Sequence, residues 1–130
     1  MHLRSPLSHV LGSGSAKDGT EHWRGQRVSA VGLVILGLWF MYSMLLLGNT
    51  GFNYDDVVHW LGRTSNSVML ILLCLTLAYH SILGVQVIIE DYVHHPFLKV
   101  LSLISSQFIH VVVAMASVFA VLKIAFGAAA

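Results

Sequence analysis

Charge is what this sequence has least of: Asp, Glu, Lys and Arg together make up 10% of its 130 residues, against 56% hydrophobic. A soluble domain usually carries about 25% charged residues, so water is not this chain's solvent, and its length allows one domain. Net charge is close to zero, with seven Lys and Arg against six Asp and Glu, so neither a nucleic-acid-binding face nor an acidic tail is indicated. The single cysteine, Cys74, lies in an apolar run, which excludes an internal disulfide framework and a cysteine-held metal or iron–sulphur cluster. A glycine-rich nucleotide loop is missing too, so nothing here holds a flavin. No alternating apolar and polar pattern supports an outer-membrane barrel. The first 27 residues lack an apolar core followed by a small-residue cleavage site, and they include Asp18 and Glu21. The expectation is an uncleaved segment of a bacterial protein, with neither a signal nor a transit peptide.

Long uncharged runs are what the chain does have. Val28 to Leu47, Val68 to Ile89 and Leu101 to Leu122 contain no Asp, Glu, Lys or Arg, and each reaches the roughly 20 residues needed to cross the hydrocarbon layer. The fold class expected is an all-α membrane protein with three transmembrane helices over about 28–47, 68–89 and 101–122. A polar segment over 1–27 precedes this 28–122 anchor domain, and a short tail over 123–130 follows it. Basic residues orient the chain: Arg4, Lys17, Arg24, Arg27 and Lys99 fall on one side, Arg63 and Lys123 on the other. This puts the N-terminus in the cytoplasm and the C-terminus in the periplasm of a bacterial inner membrane. In the first loop Tyr54, Val57, Val58 and Leu61 recur at one-face spacing behind a candidate Asn53 cap, which predicts a short interfacial helix. Trp60, with Trp23 and Tyr92 on the other side, fits the aromatic belts or serves as an ordinary loop aromatic.

No internal repeat is visible, and three spans are too few to enclose a substrate path, so partner proteins are expected. Small residues offer seams for them: Ser29 and Gly32 on the first span, and Ser106, Ala114 and Ser117 on the third. The spans carry no charged pair or broken helix of the kind that lines ion paths, which argues against a transporter.

Eight histidines are many for such an apolar chain, and His80 falls near the middle of the second span. An ionisable group at that depth is costly and marks either a haem-iron ligand or a hydrogen bond to a neighbouring helix. At 100° per residue Gly84, Val87 and Asp91 lie within about 40° of His80, and a glycine there lets a flat macrocycle approach the backbone. Asp91 and Tyr92 follow about 16 to 18 Å further along the helix. A phenol at the water interface can donate to a quinone carbonyl, with a carboxylate to orient it or relay protons; both residues could equally end the helix in water.

The pattern His80-Ser81-x-x-Gly84-x5-Glu90-Asp91-Tyr92 resembles the second-helix signature of the hydrophobic membrane anchor family of succinate dehydrogenase, respiratory complex II. The stretch His22-Trp23-Arg24-Gly25-Gln26-Arg27-Val28-Ser29-Ala30 is similar to that family's entry to helix 1. The resemblance covers roughly Gly19 to Leu122. It implies that His80 is one axial ligand of a haem b shared with a larger partner, the cytochrome b subunit of the complex. Gly84 would pack against that haem, Arg27 and Arg24 would lie near its propionates, and Asp91 and Tyr92 would border a ubiquinone site near the iron–sulphur subunit. Succinate is then oxidised in a flavoprotein subunit outside this chain, which feeds the respiratory chain from the tricarboxylic acid cycle and is no enzyme alone. His110, mid-way along the third span on the seam of Ser106, Ala114 and Ser117, keeps a self-contained bis-histidine cytochrome b open, and a haem-free structural membrane protein is the other alternative. His94 and His95, in the turn beside the expected quinone site, suit either proton uptake or a plain polar turn.

Overall fold

The computed structural model describes residues 16–127, with side chains from residue 20 onward. They form four helices in chain order: α1 over Ala16–Gly48, α2 over Tyr54–Gly62, α3 over Thr64–Tyr92 and α4 over Pro96–Gly127. There is no strand among the described residues. Three segments are long and apolar enough to cross a membrane: Thr20–Gly48, Thr64–Tyr92 and Pro96–Gly127, of 29, 29 and 32 residues. At 1.5 Å per residue each exceeds about 40 Å, the thickness of a bilayer with its headgroup layers. The helices therefore overrun the uncharged stretches at both ends. Residues 16–27, expected as part of a polar leading segment, are the first turns of α1, and α4 continues through Lys123 to Gly127. Arg4 lies outside the described residues.

Local chemistry sets the helix boundaries. Gly48 ends α1, and Gly51 follows at φ +86° and Phe52 at φ +55°, a left-handed pair that reverses the chain. Thr50 Oγ1 donates to the Leu47 carbonyl at 2.8 Å and satisfies one of the free carbonyls of the last turn. Asn53 occupies the N-cap position of α2, but its side chain makes no capping bond; its amide donates instead to the Thr50 carbonyl at 3.1 Å. The left-handed turn behind it supplies that acceptor. Arg63, extended, separates α2 from α3. The first turn of α3 closes the end of α2, because Asn66 Nδ2 donates to the Trp60 carbonyl at 2.8 Å and Ser67 Oγ donates to that of Leu61. Pro96 begins α4, where its missing N–H costs nothing.

Helix α3 is the centre of the assembly, packed on α1 along one side and on α4 along the other, while α2 rests against α4 and α3. Among the described residues few are buried: Leu47, Leu61 and Val121, with Ser29, Ser43 and Ser67. Large apolar side chains cover the outside instead, as expected where the surrounding medium is lipid or another apolar helix. On α2, Leu61 is buried but Tyr54 is 80% exposed, so Tyr54 does not belong to the packed face that its spacing suggested. Trp60 stacks on Trp39 of α1 with ring centroids 5.8 Å apart, a structural contact beyond a belt position.

The α1 and α3 seam is tightest at Gly25, where an added Cβ would lie 2.6 Å from Tyr79 Oη and 3.2 Å from Leu83 Cδ1. Leucine at position 25 forces the two helices apart. Gly25→Leu should cost about 1–3 kcal/mol of stability in thermal unfolding of the detergent-solubilised protein. Gly37→Leu, whose Cβ meets nothing within 4 Å, should leave it unchanged.

Candidate functional site

The site is built where α1 crosses α3. On α1, His22, Gln26 and Ser29 stand at i, i+4 and i+7, which places them on one face. That face meets His80, which is half-buried on α3. Ser29 Oγ lies 2.9 Å from His80 Nδ1. The same hydroxyl reaches the Gly25 carbonyl at 2.7 Å and the Gln26 carbonyl at 3.1 Å. A hydroxyl has one proton, and both carbonyls can only accept, so the proton is held on the α1 backbone and the oxygen is left to accept from the imidazole. Nδ1 is then the ring nitrogen that donates to Ser29, and Nε2 is turned to the Gln26 amide.

That Nε2 is poorly matched. Its neighbour, Gln26 Nε2, is 3.4 Å away, beyond the usual 2.7–3.2 Å of an N–H hydrogen bond. Two further polar atoms on the same face, Gln26 Oε1 and His22 Nε2, are buried with no hydrogen-bond partner. Native interiors hold few such atoms, and each calls for an explanation. Gln26 Oε1 belongs to the amide beside His80 Nε2, His22 lies one turn earlier on the same face of α1, and the other ring nitrogen of His80 is held by Ser29, as the second nitrogen of a ligating histidine usually is held. The donor set therefore fits a haem iron. Gly84 lies one turn beyond, where an added Cβ would sit 3.7 Å from Gln26 Nε2, so the Gln26 amide covers both Gly84 and the free face of His80. Among the described residues no three His, Cys, Asp or Glu side chains converge to hold a bare metal ion.

Arg24 and Arg27 lie on other faces of α1 and are exposed. The Arg27 guanidinium sits over the Trp23 ring, 5.8 Å from its centroid, and Arg24 borders a shallow depression with Glu21 and Tyr79. The polar side chains that meet His80 are Gln26 and Ser29, with His22 one turn before them on the same face of α1. Sequence reasoning singled out Ser29 only as a small seam residue and quoted the other two without a role; the signal available was the i, i+4, i+7 recurrence of polar groups running into an apolar span.

His110 is occupied elsewhere. Its Nδ1 donates to the Ser106 carbonyl at 2.7 Å, and its Nε2 is 2.9 Å from Ser81 Oγ, which donates to it. His80 and Ser81 are neighbours in sequence, 100° apart on the helix, so α3 turns one to α1 and the other to α4. The two histidines serve different seams, and His110 has no nitrogen free for a metal. A cavity of about 270 Å³ beside it is lined mainly by small residues, Cys74, Ala78, Ala114 and Ser117 among them.

Asp91 and Tyr92 end α3, both exposed, Tyr92 at 79%. By spacing, Asp91 shares the face of His80 while Tyr92 is turned about 120° from it, and both lie roughly 16 to 18 Å further along the axis. The end of α3 is tied down: Lys99 Nζ on α4 donates to the Glu90 carbonyl at 2.8 Å, and Gln86 Nε2 donates to Glu90 Oε1 at 2.8 Å. In the turn, His94 Nδ1 donates to the Tyr92 carbonyl at 3.1 Å, and His95 is exposed beside it.

Three membrane-length helices, an imidazole shared between two of them, and a tyrosine–carboxylate pair at one end define a class: small helical membrane anchors. The chain matches the family model described as succinate dehydrogenase/fumarate reductase transmembrane subunit over residues 1–122. It is 34% identical to a succinate dehydrogenase hydrophobic membrane anchor subunit of Rickettsia conorii over 118 residues, 91% of this chain and 93% of that one. It is also 34% identical to the protein of that name from Rickettsia bellii over 91 residues, 70% and 71% of the two chains. The chain belongs to the succinate dehydrogenase/fumarate reductase transmembrane subunit family, as a membrane anchor. No solved structure matches it.

The Ser29 contact sets an expected outcome for stability. Ser29→Ala should weaken the α1 and α3 association by about 0.6–1.7 kcal/mol, the range measured for interhelical hydrogen bonds in membranes. Ser29→Thr should restore it, with unfolding of the solubilised protein as the readout.

Proposed function

We propose that this chain anchors the catalytic part of a succinate:quinone oxidoreductase in the bacterial inner membrane, supplies one axial ligand of a haem b through His80, and forms part of the ubiquinone site. The observation that supports it most is His80 itself, with Nδ1–H held by Ser29 and Nε2 left for a ligand bond. A second ligand to that iron would be supplied by the partner cytochrome b, since His110 has both nitrogens engaged. When bound, the haem supplies a one-electron relay whose potential the protein tunes.

Every other part belongs to the chain's own residues. Ser29 fixes the ring and its tautomer. The Gln26 amide, at its long 3.4 Å contact, is the group that gives way when Nε2 takes a ligand. Arg24 and Arg27, exposed near the N-terminal end of α1, would offer guanidinium groups suited to the carboxylates of a bound haem. Ubiquinone is the substrate at the cytoplasmic rim, where the Tyr92 phenol donates to a quinone carbonyl and Asp91 orients it or relays a proton from solvent. The bond from Lys99 to Glu90 holds that end of α3 in place. The flavoprotein partner oxidises succinate, and electrons reach the quinone through the iron–sulphur partner, so the anchor contributes to the site without being an enzyme alone. Helix α2 then lies at the periplasmic interface.

One reading competes on a specific observation: both ring nitrogens of His80 face α1, so it could be only a polar contact in a haem-free anchor. A dithionite-reduced minus oxidised spectrum of the purified complex separates the two. A b-type band is expected in the native complex, lost or shifted in His80→Ala and unchanged in His110→Ala; no band, or a band indifferent to His80, overturns the ligand assignment. For the quinone site, Tyr92→Phe should lower succinate:quinone activity by about 10²-fold, in line with loss of a positioned acid. Succinate oxidation by an artificial soluble acceptor should be untouched.

A further inference from the structure

The opposite end of the molecule holds a cavity that the proposed chemistry does not use. The end of α1 and the α2 segment border an open cleft of about 410 Å³, within the 300–1,000 Å³ range of small-ligand sites. Its walls have two characters. Asp56, His59 and Trp60 line one side, at i, i+3 and i+4 on a single face of α2, together with Arg63 in the extended link to α3. Tyr42 and Leu46 of α1 form the other, 62% and 51% exposed along the apolar span. The stack of Trp39 on Trp60 adjoins the cavity, and the bond from Asn66 to the Trp60 carbonyl fixes that wall.

A helix lying at a membrane surface normally turns its charged face to water. Here the buried Leu61 face of α2 packs against the bundle, and half-buried Asp56 with exposed His59 and Arg63 borders the gap beside α1. Among the described residues, Asp56, His59 and Arg63 have no side-chain hydrogen bond or ion pair within the chain. A cation, an anion and an imidazole thus border one cavity, none neutralised internally, at the level where the apolar span of α1 ends.

We propose that this cavity binds the headgroup of a membrane phospholipid carrying a phosphate and a primary ammonium, a phosphoethanolamine, with one acyl chain running down Tyr42 and Leu46. The planar guanidinium of Arg63 pairs with phosphate oxygens, His59 adds a donor, and the carboxylate of Asp56 accepts from the ammonium. Asp56 is what discriminates. It repels a headgroup with net negative charge, and it hydrogen-bonds a primary ammonium, which a quaternary choline cannot reciprocate. The aromatic faces that a choline would otherwise use are partly spent on each other in the Trp39 and Trp60 stack.

Native mass spectrometry of the intact purified complex, stripped by detergent exchange and re-exposed to dioleoyl phosphatidylethanolamine, phosphatidylcholine or phosphatidylglycerol, tests this. One phosphatidylethanolamine per copy of this chain should be retained, in preference to the other two. Arg63→Gln should weaken retention at least roughly tenfold, as the loss of a charge-assisted hydrogen bond supports. Asp56→Asn should keep a bound phospholipid but lose the preference, a readout that stands even if the arginine variant fails to assemble. Equal retention of phosphatidylethanolamine and phosphatidylglycerol by the native complex overturns the proposal. So does undiminished retention in Arg63→Gln, or a quinone bound in a manner that Arg63→Gln abolishes.

Discussion

An imidazole at mid-membrane has two nitrogens to satisfy and no water to satisfy them with. The hydrogen bond from His80 Nδ1 to Ser29 at 2.9 Å answers for one, and in doing so decides the state of the other. Because the Ser29 hydroxyl donates to the α1 backbone, its oxygen is left to accept from His80 Nδ1, and Nε2 is turned to Gln26. The same contact ties α1 to α3, so the helix pairing and the presentation of Nε2 are one constraint. Gly25 and Gly32 keep α1 close enough for it to form, since a Cβ at either would already crowd Tyr79 or Thr76 of α3.

The central place of α3 follows from how its polar residues are distributed. His80 faces α1 and Ser81 faces α4, and adjacent positions on a helix diverge enough to serve two neighbours. The pairing of Ser81 with His110 gives α3 and α4 a satisfied polar contact of their own, so the second mid-span histidine is explained as packing. What is left unsatisfied, His22 Nε2 and Gln26 Oε1, lies on the α1 face that carries Ser29. That asymmetry supports one ligand from this chain, with the second expected from a partner.

The three spans were legible because lipid demands long uncharged runs, and His80 was legible because depth alone makes it expensive. The helix ends were not, since beyond the hydrocarbon layer a helix no longer needs apolar residues: 16–27 read as polar leader yet form the first turns of α1. The short helix after Asn53 was foreseen, but not that a left-handed Gly51–Phe52 turn would draw the Asn53 side chain away from capping. His22 and Gln26 escaped notice because polar residues near a membrane surface read as solvated until a neighbouring helix is seen to cover them. Asp91 and Tyr92 were placed by motif, and the structure adds the clamp from Lys99 that positions their end of α3.

The most direct test of the account is ¹⁵N NMR of the complex with histidine labelled in this chain alone. The account predicts that His80 carries its proton on Nδ1, hydrogen-bonded, with Nε2 unprotonated, and that Ser29→Ala removes the hydrogen-bond signature while Ser29→Thr keeps it. A proton on Nε2, or a signature indifferent to Ser29, would contradict it.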